Sequence, residues 1–189
     1  MSAQDSKLFV ISGPSGAGKG TLVTRVRERR SNLGLTVSAT TRAPRKGEVD
    51  GVNYFFLTRE EFDRRVANGE FVEWAEVHGN CYGTLVSEVT SKLASGASLI
   101  LEIDVQGALQ VKERFPEAVL IFIMPPSLEV LRERLVGRGT ETPETIELRM
   151  ANAADELALA DRYDDVVVND DLDRATDELV RVLDMHERI

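Results

Sequence analysis

The chain has 189 residues, of which 42% are hydrophobic and 29% charged, a composition that suits one globular domain and excludes general disorder. Its formal net charge of −9 argues against nucleic-acid binding, because nucleic-acid-binding proteins neutralise phosphates with basic patches. The chain has a single cysteine, Cys81, which excludes an internal disulfide framework. The polar N-terminal residues are unlike a signal peptide, and no apolar run approaches membrane-spanning length. We therefore expect a cytoplasmic location.

Short apolar runs alternate with helical patterns along most of the chain, which predicts a parallel β-sheet covered by helices, an α/β fold. The predicted strands of this sheet are 8–11, 99–103, 119–123 and 166–168. The predicted helices are 19–30, 106–114, 128–137, 143–159 and 172–188. We expect a single domain over 1–189, with a core formed by 1–35, 91–136 and 160–189.

Residues 36–90 interrupt this alternation. Short strand-like pieces at 54–57 and 70–77 surround one small helix at 59–68, which predicts an inserted lobe of α+β character. A second irregular piece, 137–142, contains two glycines and little apolar surface, so we expect it to be exposed and mobile.

A glycine-rich turn follows the first strand and opens the first helix. Its residues are Gly13, Pro14, Ser15, Gly16, Ala17, Gly18, Lys19, Gly20 and Thr21. This GxxxxGK pattern between a strand and a helix is typical of a phosphate-binding loop, in which Lys19 reaches the β- and γ-phosphates. The Ser or Thr that usually follows the lysine is replaced by Gly20, and the hydroxyl comes one position later, so the metal ligands stay open. The motif predicts nucleoside triphosphate binding without choosing between a kinase, a GTPase and a motor.

A second candidate anion site lies in segment 38–54. Arg42 and Arg45 are three residues apart, and arginine binds phosphate in a bidentate manner. Tyr54 and Tyr82 could each donate a hydroxyl to the same anion. The concentration of arginine in an acidic chain favours an anion site, while a solvated basic loop explains the local residues equally well.

Three carboxylates lie in or beside the predicted strands. Glu73 interrupts the apolar sequence FVEW, and Glu102 and Asp104 lie at the end of strand 99–103. A carboxylate in a pocket can accept hydrogen bonds from N1–H and the 2-amino group of guanine, a donor pair that adenine lacks. For Glu73 and Glu102 a solvent-facing position on an alternating strand is the commoner alternative.

Seven segments resemble the guanylate kinase family and occur in the same order. They are GPSGAGKGT (13–21), SATTRAPRKGEVDGVNY (38–54), FVEW (71–74), YGT (82–84), EIDVQG (102–107), GRGTET (137–142) and VVND (167–170). They span nearly the whole chain, and the second, fifth and sixth are specific to that family. The resemblance implies a P-loop fold with a three-layer parallel-sheet core, an inserted α+β GMP-binding lobe at about 36–90 and a small lid at about 137–159.

The resemblance also implies roles for individual side chains. The GMP phosphate would bind Arg42, Arg45, Tyr54 and Tyr82, and the guanine would bind Ser38, Glu73, Thr84 and Asp104. Family members often have Ser where this chain has Thr84. Arg138 and Arg149, with Arg134 as a further candidate, would close on the transferring phosphoryl group. Asn169 and Asp170 would lie near the adenine of ATP.

The implied reaction is ATP-dependent phosphorylation of GMP, and of dGMP, by direct in-line transfer, in purine nucleotide metabolism and recycling. The attacking phosphate oxygen is already anionic, so no general base is needed, and His78 and His186 lie in no evident catalytic setting. The expected catalytic residues are Lys19, Arg45, Arg138 and Arg149. Mg²⁺ is the expected cofactor and ATP and GMP the expected partners, without nucleic acid or membrane; the sequence does not indicate the oligomeric state.

Three other classes of protein are alternatives to this interpretation. Guanylate-kinase-like binding modules of scaffold proteins have eroded phosphate loops, whereas Lys19 and the glycines are intact here. A kinase for another phosphorylated acceptor, such as a sugar phosphate, would need no counterpart of Glu73, Thr84 and Asp104. An unrelated GTPase or ATPase would leave the arginine segment unexplained.

Overall fold

The structure is a computed structural model and describes residues 6–77, 79–137 and 142–188. The strands in this part of the chain are β1 (Leu8–Ser12), β2 (Gly34–Leu35), β3 (Ala39–Thr40), β4 (Phe55–Phe56), β5 (Phe71–Val77), β6 (Asn80–Leu85), β7 (Leu99–Glu102), β8 (Val119–Met124) and β9 (Asp165–Val168). The α-helices are α1 (Lys19–Arg29), α2 (Arg59–Ala67), α3 (Val86–Ala94), α4 (Val105–Arg114), α5 (Leu128–Gly137), α6 (Pro143–Leu157) and α7 (Leu172–Glu187).

Five parallel strands form the central sheet in the order β2-β7-β1-β8-β9. The middle strand, β1, is buried along its whole length because both of its faces are apolar. Phe9 and Ile11 pack in one core cluster with side chains of α1 and α7, while Leu8 and Val10 pack in a second cluster with side chains of α3 and α4. Helices therefore cover both faces of the sheet, and the predicted α/β class with a parallel central sheet is confirmed.

A second sheet, in the order β4-β3-β6-β5, lies within the inserted segment. Strands β5 and β6 form an antiparallel hairpin, β3 pairs antiparallel with β6, and β4 pairs parallel with β3. This sheet has its own small core, in which the ring of Phe62 from α2 stacks on Phe71 at 4.3 Å between centroids. Helix α2 begins at Arg59 and is capped by Thr58, whose hydroxyl accepts a hydrogen bond from the Glu61 amide.

Helices α5 and α6 pack on each other through Leu131, Leu135 and Ala153. Thr142 caps α6 and Pro143 occupies its first turn, where a missing N–H costs nothing. The predicted exposed piece between these helices falls mostly on residues 138–141, which lie outside the described residues, as does Arg138. No helix of the described ranges is long and apolar enough to cross a membrane.

Candidate active site

The phosphate-binding loop leaves the end of β1 and opens α1. Gly16 and Gly18 both have φ of +91°, a conformation that favours glycine. A side chain at Gly18 would also place its Cβ 2.4 Å from Nδ2 of Asn169, so any other residue there would be strained and would displace the Asn169 side chain. Lys19 Nζ donates hydrogen bonds to the carbonyl oxygens of Gly13 at 2.6 Å and Pro14 at 3.1 Å. The first turn of α1 contains no acidic residue, so the positive potential of its N–H groups is available to an anion.

Two arginines hold this loop from the side of α5 and α6. Arg149 of α6 donates a hydrogen bond to Oγ of Ser15. Arg134 of α5 donates to the carbonyl oxygen of Ala17 at 3.4 Å and to that of Asn169 at 2.8 Å. Arg149 therefore contacts the loop at Ser15. Arg134 contacts the loop at Ala17 and also bonds to Asn169, and we call this side of the loop its outer side.

An open pocket of about 360 Å³ adjoins the outer side of the loop. Its lining residues come from the loop, from the start of α1, from α5 and from the segment after β9: Gly16, Gly18, Thr21, Arg134, Asn169, Asp170 and Leu172. The structure thus brings Asn169 and Asp170 next to the phosphate-binding loop. We name this the donor pocket.

The carboxylate of Glu102 lies beside the loop at the end of β7, the strand that pairs with β1. A Cβ on Gly20 would stand 3.4 Å from its Oε1. Although solvent reaches Glu102, the protein packed around it raises the pKa of its carboxyl group, and the nearby Lys19 opposes this shift. A carboxylate oxygen therefore lies next to Gly20, the position where this motif usually has a hydroxyl. The sequence pattern alone did not predict that Glu102 would lie beside Gly20.

Glu73 and Asp104 converge at the N-terminus of α4. Asp104 caps this helix, its Oδ1 accepting a hydrogen bond of 2.7 Å from the Gly107 amide. A Cβ on Gly107 would lie 3.3 Å from Oε2 of Glu73 and 3.4 Å from Oδ1 of Asp104, so glycine at this position makes room for both carboxylates. The solvent-facing alternative for Glu73 is wrong, since this residue is 8% exposed.

Burial, with a smaller contribution from Asp104, raises the pKa of Glu73 to about 7, and the neighbouring Thr84 partly opposes the shift. Thr84 pairs with Glu73 across the β5–β6 hairpin. Its buried hydroxyl has no hydrogen-bond partner among the described residues other than the adjacent Glu73 carboxylate. Extending the β3–β6 register by one residue places Ser38 opposite Thr84. This cluster therefore offers hydrogen-bonding groups, some of them unsatisfied, to a polar ligand.

Three of the four residues predicted to bind the acceptor phosphate lie together. The guanidinium of Arg42 stands 5.4 Å from the ring centroid of Tyr54, and the rings of Tyr54 and Tyr82 lie 6.2 Å apart. Arg45 is exposed on the adjoining turn, where its amide donates to Oε2 of Glu48 at 2.6 Å.

Glu48 is the residue of this site that the sequence analysis missed. Its carboxylate accepts two hydrogen bonds from Nη2 of Arg42, at 2.9 and 3.1 Å, and thereby fixes the direction of that side chain. The pair raises the pKa of Arg42 and, mainly through the Arg42 hydrogen bond, lowers the pKa of Glu48. The only signal in the sequence is an acid six residues after Arg42 in a segment rich in turn formers.

His186, the histidine within the described residues, does not lie at the site. His186 is near the end of α7, where its Nε2 lies 2.6 Å from Oδ2 of Asp165 at the start of β9. The donor pocket lies beyond the other end of β9, where Asn169 follows Val168. His78 lies outside the described residues.

The parallel sheet, the glycine-rich loop and Lys19 define a P-loop nucleotide-binding protein. The guanylate kinase family model matches residues 5–186. The guanylate kinases of Gloeobacter violaceus and Halalkalibacterium halodurans are 57% and 52% identical to the chain, covering 94% and 97% of it and 87% and 90% of their own lengths. The crystal structure of guanylate kinase from Anaplasma phagocytophilum has a TM-score of 0.75 at 37% identity, covering 97% of this chain and 87% of its own.

The chain therefore belongs to the guanylate kinase family. These comparisons confirm the predicted family and the predicted fold. They also confirm the prediction that the chain is a kinase.

Proposed function

We propose that this chain transfers the γ-phosphoryl group of ATP to GMP, giving ADP and GDP. The observation that supports this most strongly is the convergence of Glu73, Thr84 and Asp104 beside the N-terminus of α4, one strand away from the phosphate-binding loop. The buried Glu73 and Thr84, with the exposed Asp104 beside them, provide next to a triphosphate site the acceptors that recognition of guanine requires. Membership of the guanylate kinase family agrees with this assignment.

The acceptor base is held by the two carboxylates and the hydroxyl. Ionised Glu73 accepts hydrogen bonds from N1–H and the 2-amino group of guanine, and the Thr84 hydroxyl bonds to the remaining polar edge of the base. Asp104 has one oxygen engaged by the Gly107 amide, which leaves the other for the ligand. Ser38 lies across the sheet from Thr84 and completes the set. No residue of this group requires a 2′-hydroxyl, so dGMP is also expected as an acceptor.

The acceptor phosphate is held by Arg42, Arg45, Tyr54 and Tyr82. Glu48 holds the guanidinium of Arg42 over the Tyr54 ring, so this group is already oriented before an anion arrives. Arg45 lies on an exposed turn and would reach the phosphate when the inserted lobe, at about 36–90, closes over the nucleotide.

The donor phosphates are held by the loop amides and Lys19, while Asn169 and Asp170 border the adenine. An in-line attack by a GMP phosphate oxygen needs no general base, so the protein contributes positioning and neutralisation of charge. Arg149 already contacts Ser15 of the loop and supplies positive charge at the transferring group. Arg138, together with a lid at about 137–159, keeps the same expected role as a prediction, as does a cytoplasmic location.

Magnesium fits this site through oxygen ligands near Gly20. The Glu102 carboxylate lies beside that position, and Thr21 supplies the nearby hydroxyl, so these two residues would hold the ion directly or through water. The chemistry that a bound ion would supply there is neutralisation of the negative charge on the phosphates.

Release of ADP from ATP, measured with GMP, IMP, AMP, CMP or UMP as acceptor, tests this function. Buried polar groups left without partners can reject a wrong substrate by about 10⁴–10⁵. We expect fast turnover with GMP, intermediate turnover with IMP, which lacks the 2-amino group, and very little with AMP. Comparable turnover with AMP would contradict the role of the carboxylate cluster, and absence of turnover with every nucleotide would remove the proposed activity.

A further inference from the structure

The second sheet, which lies in the inserted lobe, is joined to the core at two places. The first is residues 36–38, which we call the entry crossing. It lies between Leu35, the last residue of β2 in the central sheet, and Ala39, the first residue of β3 in the second sheet. At the second place β6 ends at Leu85 and α3 begins at the next residue, Val86. The orientation of the second sheet relative to the core therefore depends on a few peptide groups.

Helix α3 begins within the predicted lobe but packs on the core. Val89 of this helix is buried in the core cluster that contains Val10 and Leu101 of the central sheet, and Leu93 packs against the same cluster. Because the central sheet is the largest packed unit of the protein, α3 provides a fixed surface at the point where the chain leaves the second sheet.

Two side chains of α3 bind the entry crossing and the residue before it. Oε1 of Glu88 accepts a hydrogen bond of 2.8 Å from the Val37 amide. Lys92, one turn further along α3, forms an ion pair with the same oxygen and donates a hydrogen bond of 2.8 Å to the carbonyl oxygen of Leu35. The side chain of Glu88 is 10% exposed, so this charge-assisted hydrogen bond is largely shielded from water. Glu88 thus joins the two places at which the second sheet is attached.

The entry crossing leads directly to a residue of the acceptor site. Its last residue, Ser38, follows Val37 and precedes β3. Ser38, Glu73 and Thr84 belong to the second sheet or its border, whereas Asp104 lies on the core at the N-terminus of α4. The groups proposed to bind guanine therefore come from two packed units, and the distance between them depends on how the second sheet is attached.

We propose that Glu88 is a positioning residue for the acceptor nucleotide, which it influences by fixing the Val37 amide and hence the entry crossing. This role rests on the proposed function for the identity of the acceptor. Glu88 acts through the backbone and not by touching the nucleotide. Since it lies where the second sheet is attached, a small displacement there becomes a larger one at the guanine-binding groups. A misplacement of about 1 Å at a binding site can cost about 10²-fold in rate.

Steady-state kinetics of two variants test this role. Glu88→Ala removes the acceptor of the Val37 amide, whereas Glu88→Gln keeps an oxygen that can accept the same hydrogen bond. We expect Glu88→Ala to raise KM for GMP by about 10–100-fold and to leave KM for ATP unchanged, because the donor phosphates bind to the core. Glu88→Gln should keep KM for GMP within about threefold of the wild-type value.

A merely structural role would give a different pattern. A smaller folded fraction lowers kcat and leaves both KM values unchanged, and this result in Glu88→Ala would overturn the proposal. An equal rise of KM for GMP in Glu88→Ala and Glu88→Gln would overturn it as well. Asp63→Ala is the matched control, since it removes a carboxylate from an exposed i,i+4 ion pair with Arg59 on α2 of the same lobe. This variant should keep all wild-type constants, and a rise of KM for GMP equal to that of Glu88→Ala would overturn the role of the entry crossing.

Hydrogen exchange of the Val37 amide tests the same contact without any activity. We expect slow exchange in the wild type and in Glu88→Gln, and exchange at least about tenfold faster in Glu88→Ala, with the amides of β1 unaffected. Equal exchange of the Val37 amide in the three proteins would overturn the proposal. If the wild type forms no GDP from ATP and GMP, the proposed function fails, and hydrogen exchange alone then decides whether Glu88 fixes the entry crossing.

Discussion

Lowering the pH from about 8 to about 6 should weaken GMP binding through the protonation of Glu73. The pKa of this buried carboxyl is raised to about 7. Only its ionised form accepts hydrogen bonds from both N1–H and the 2-amino group of guanine, and bound GMP therefore lowers the pKa again. Since the group is protonated below its raised pKa, binding is strongest above pH 7 and is lost as the pH falls through that value.

The size of the effect follows from the titration curve. A pKa of about 7 leaves the free carboxyl about nine-tenths ionised near pH 8 and about one-tenth ionised near pH 6. The dissociation constant of GMP should therefore rise about tenfold across this range. Near pH 7, binding should release roughly half a proton per molecule, which appears in calorimetry as a dependence of the binding enthalpy on the ionisation enthalpy of the buffer.

Isothermal titration calorimetry of the wild-type chain and of Glu73→Gln provides the measurement and its control. The second pKa of a phosphate monoester lies near 6, so ionisation of GMP itself contributes to the curve of both proteins. The ratio of their dissociation constants cancels this contribution. We expect the wild-type advantage over Glu73→Gln to shrink about tenfold between about pH 8 and about pH 6. A ratio independent of pH would refute the assignment of Glu73 as an ionised ligand of guanine.

Three further changes separate stability, base binding and transfer. Because the pKa of Glu73 rises from 4.5 to about 7 on folding, its ionisation costs on the order of 3 kcal/mol above pH 7 and nothing below pH 4.5. Glu73→Gln should accordingly increase the free energy of unfolding in urea by up to about 3 kcal/mol near pH 8 and change it little near pH 4; equal gains at both would contradict the burial argument. Gly107→Ala should raise the dissociation constant of GMP by about tenfold, because the added Cβ would crowd the carboxylates of Glu73 and Asp104. It should not lower Tm, because alanine stabilises the helix by about 1 kcal/mol relative to glycine. Unchanged GMP binding in this variant would contradict the proposed position of the two carboxylates. Arg149→Ala should lower kcat by about 10²–10³ with GMP affinity unchanged, whereas Arg132→Ala, which removes an exposed partner of Glu147, should leave kcat as it is.

The central sheet and the phosphate-binding loop were predictable because their signals are local. An apolar run followed by GxxxxGK and a helical pattern defines strand, loop and helix within about 25 residues of chain. The two-residue strand β2 was missed, since it exists only through its pairing with β7. Helix α3 was missed as well, because Leu85 at its start provides no side-chain cap and therefore no boundary signal.

The candidate site was predictable in composition but not in arrangement. Glu73 is turned inward by an irregularity in the β5–β6 pairing between Phe71 and Glu73, which strand alternation cannot anticipate. Its approach to Asp104 depends on how the inserted lobe packs beside α4, and the raised pKa of Glu73 depends on that packing in turn. The pairing of Arg42 with Glu48 likewise requires a turn whose geometry the residue types do not determine.

The fate of the γ-phosphate tests the central claim most directly. ATP labelled at its γ-phosphorus is incubated with GMP and Mg²⁺, and the products are separated at early times. Direct transfer predicts that the label appears as the β-phosphate of GDP in an amount equal to the ADP formed, with little free phosphate, because GMP and not water is the acceptor. Label found mainly as inorganic phosphate, at a rate that GMP does not change, would contradict the account and identify an ATP hydrolase instead.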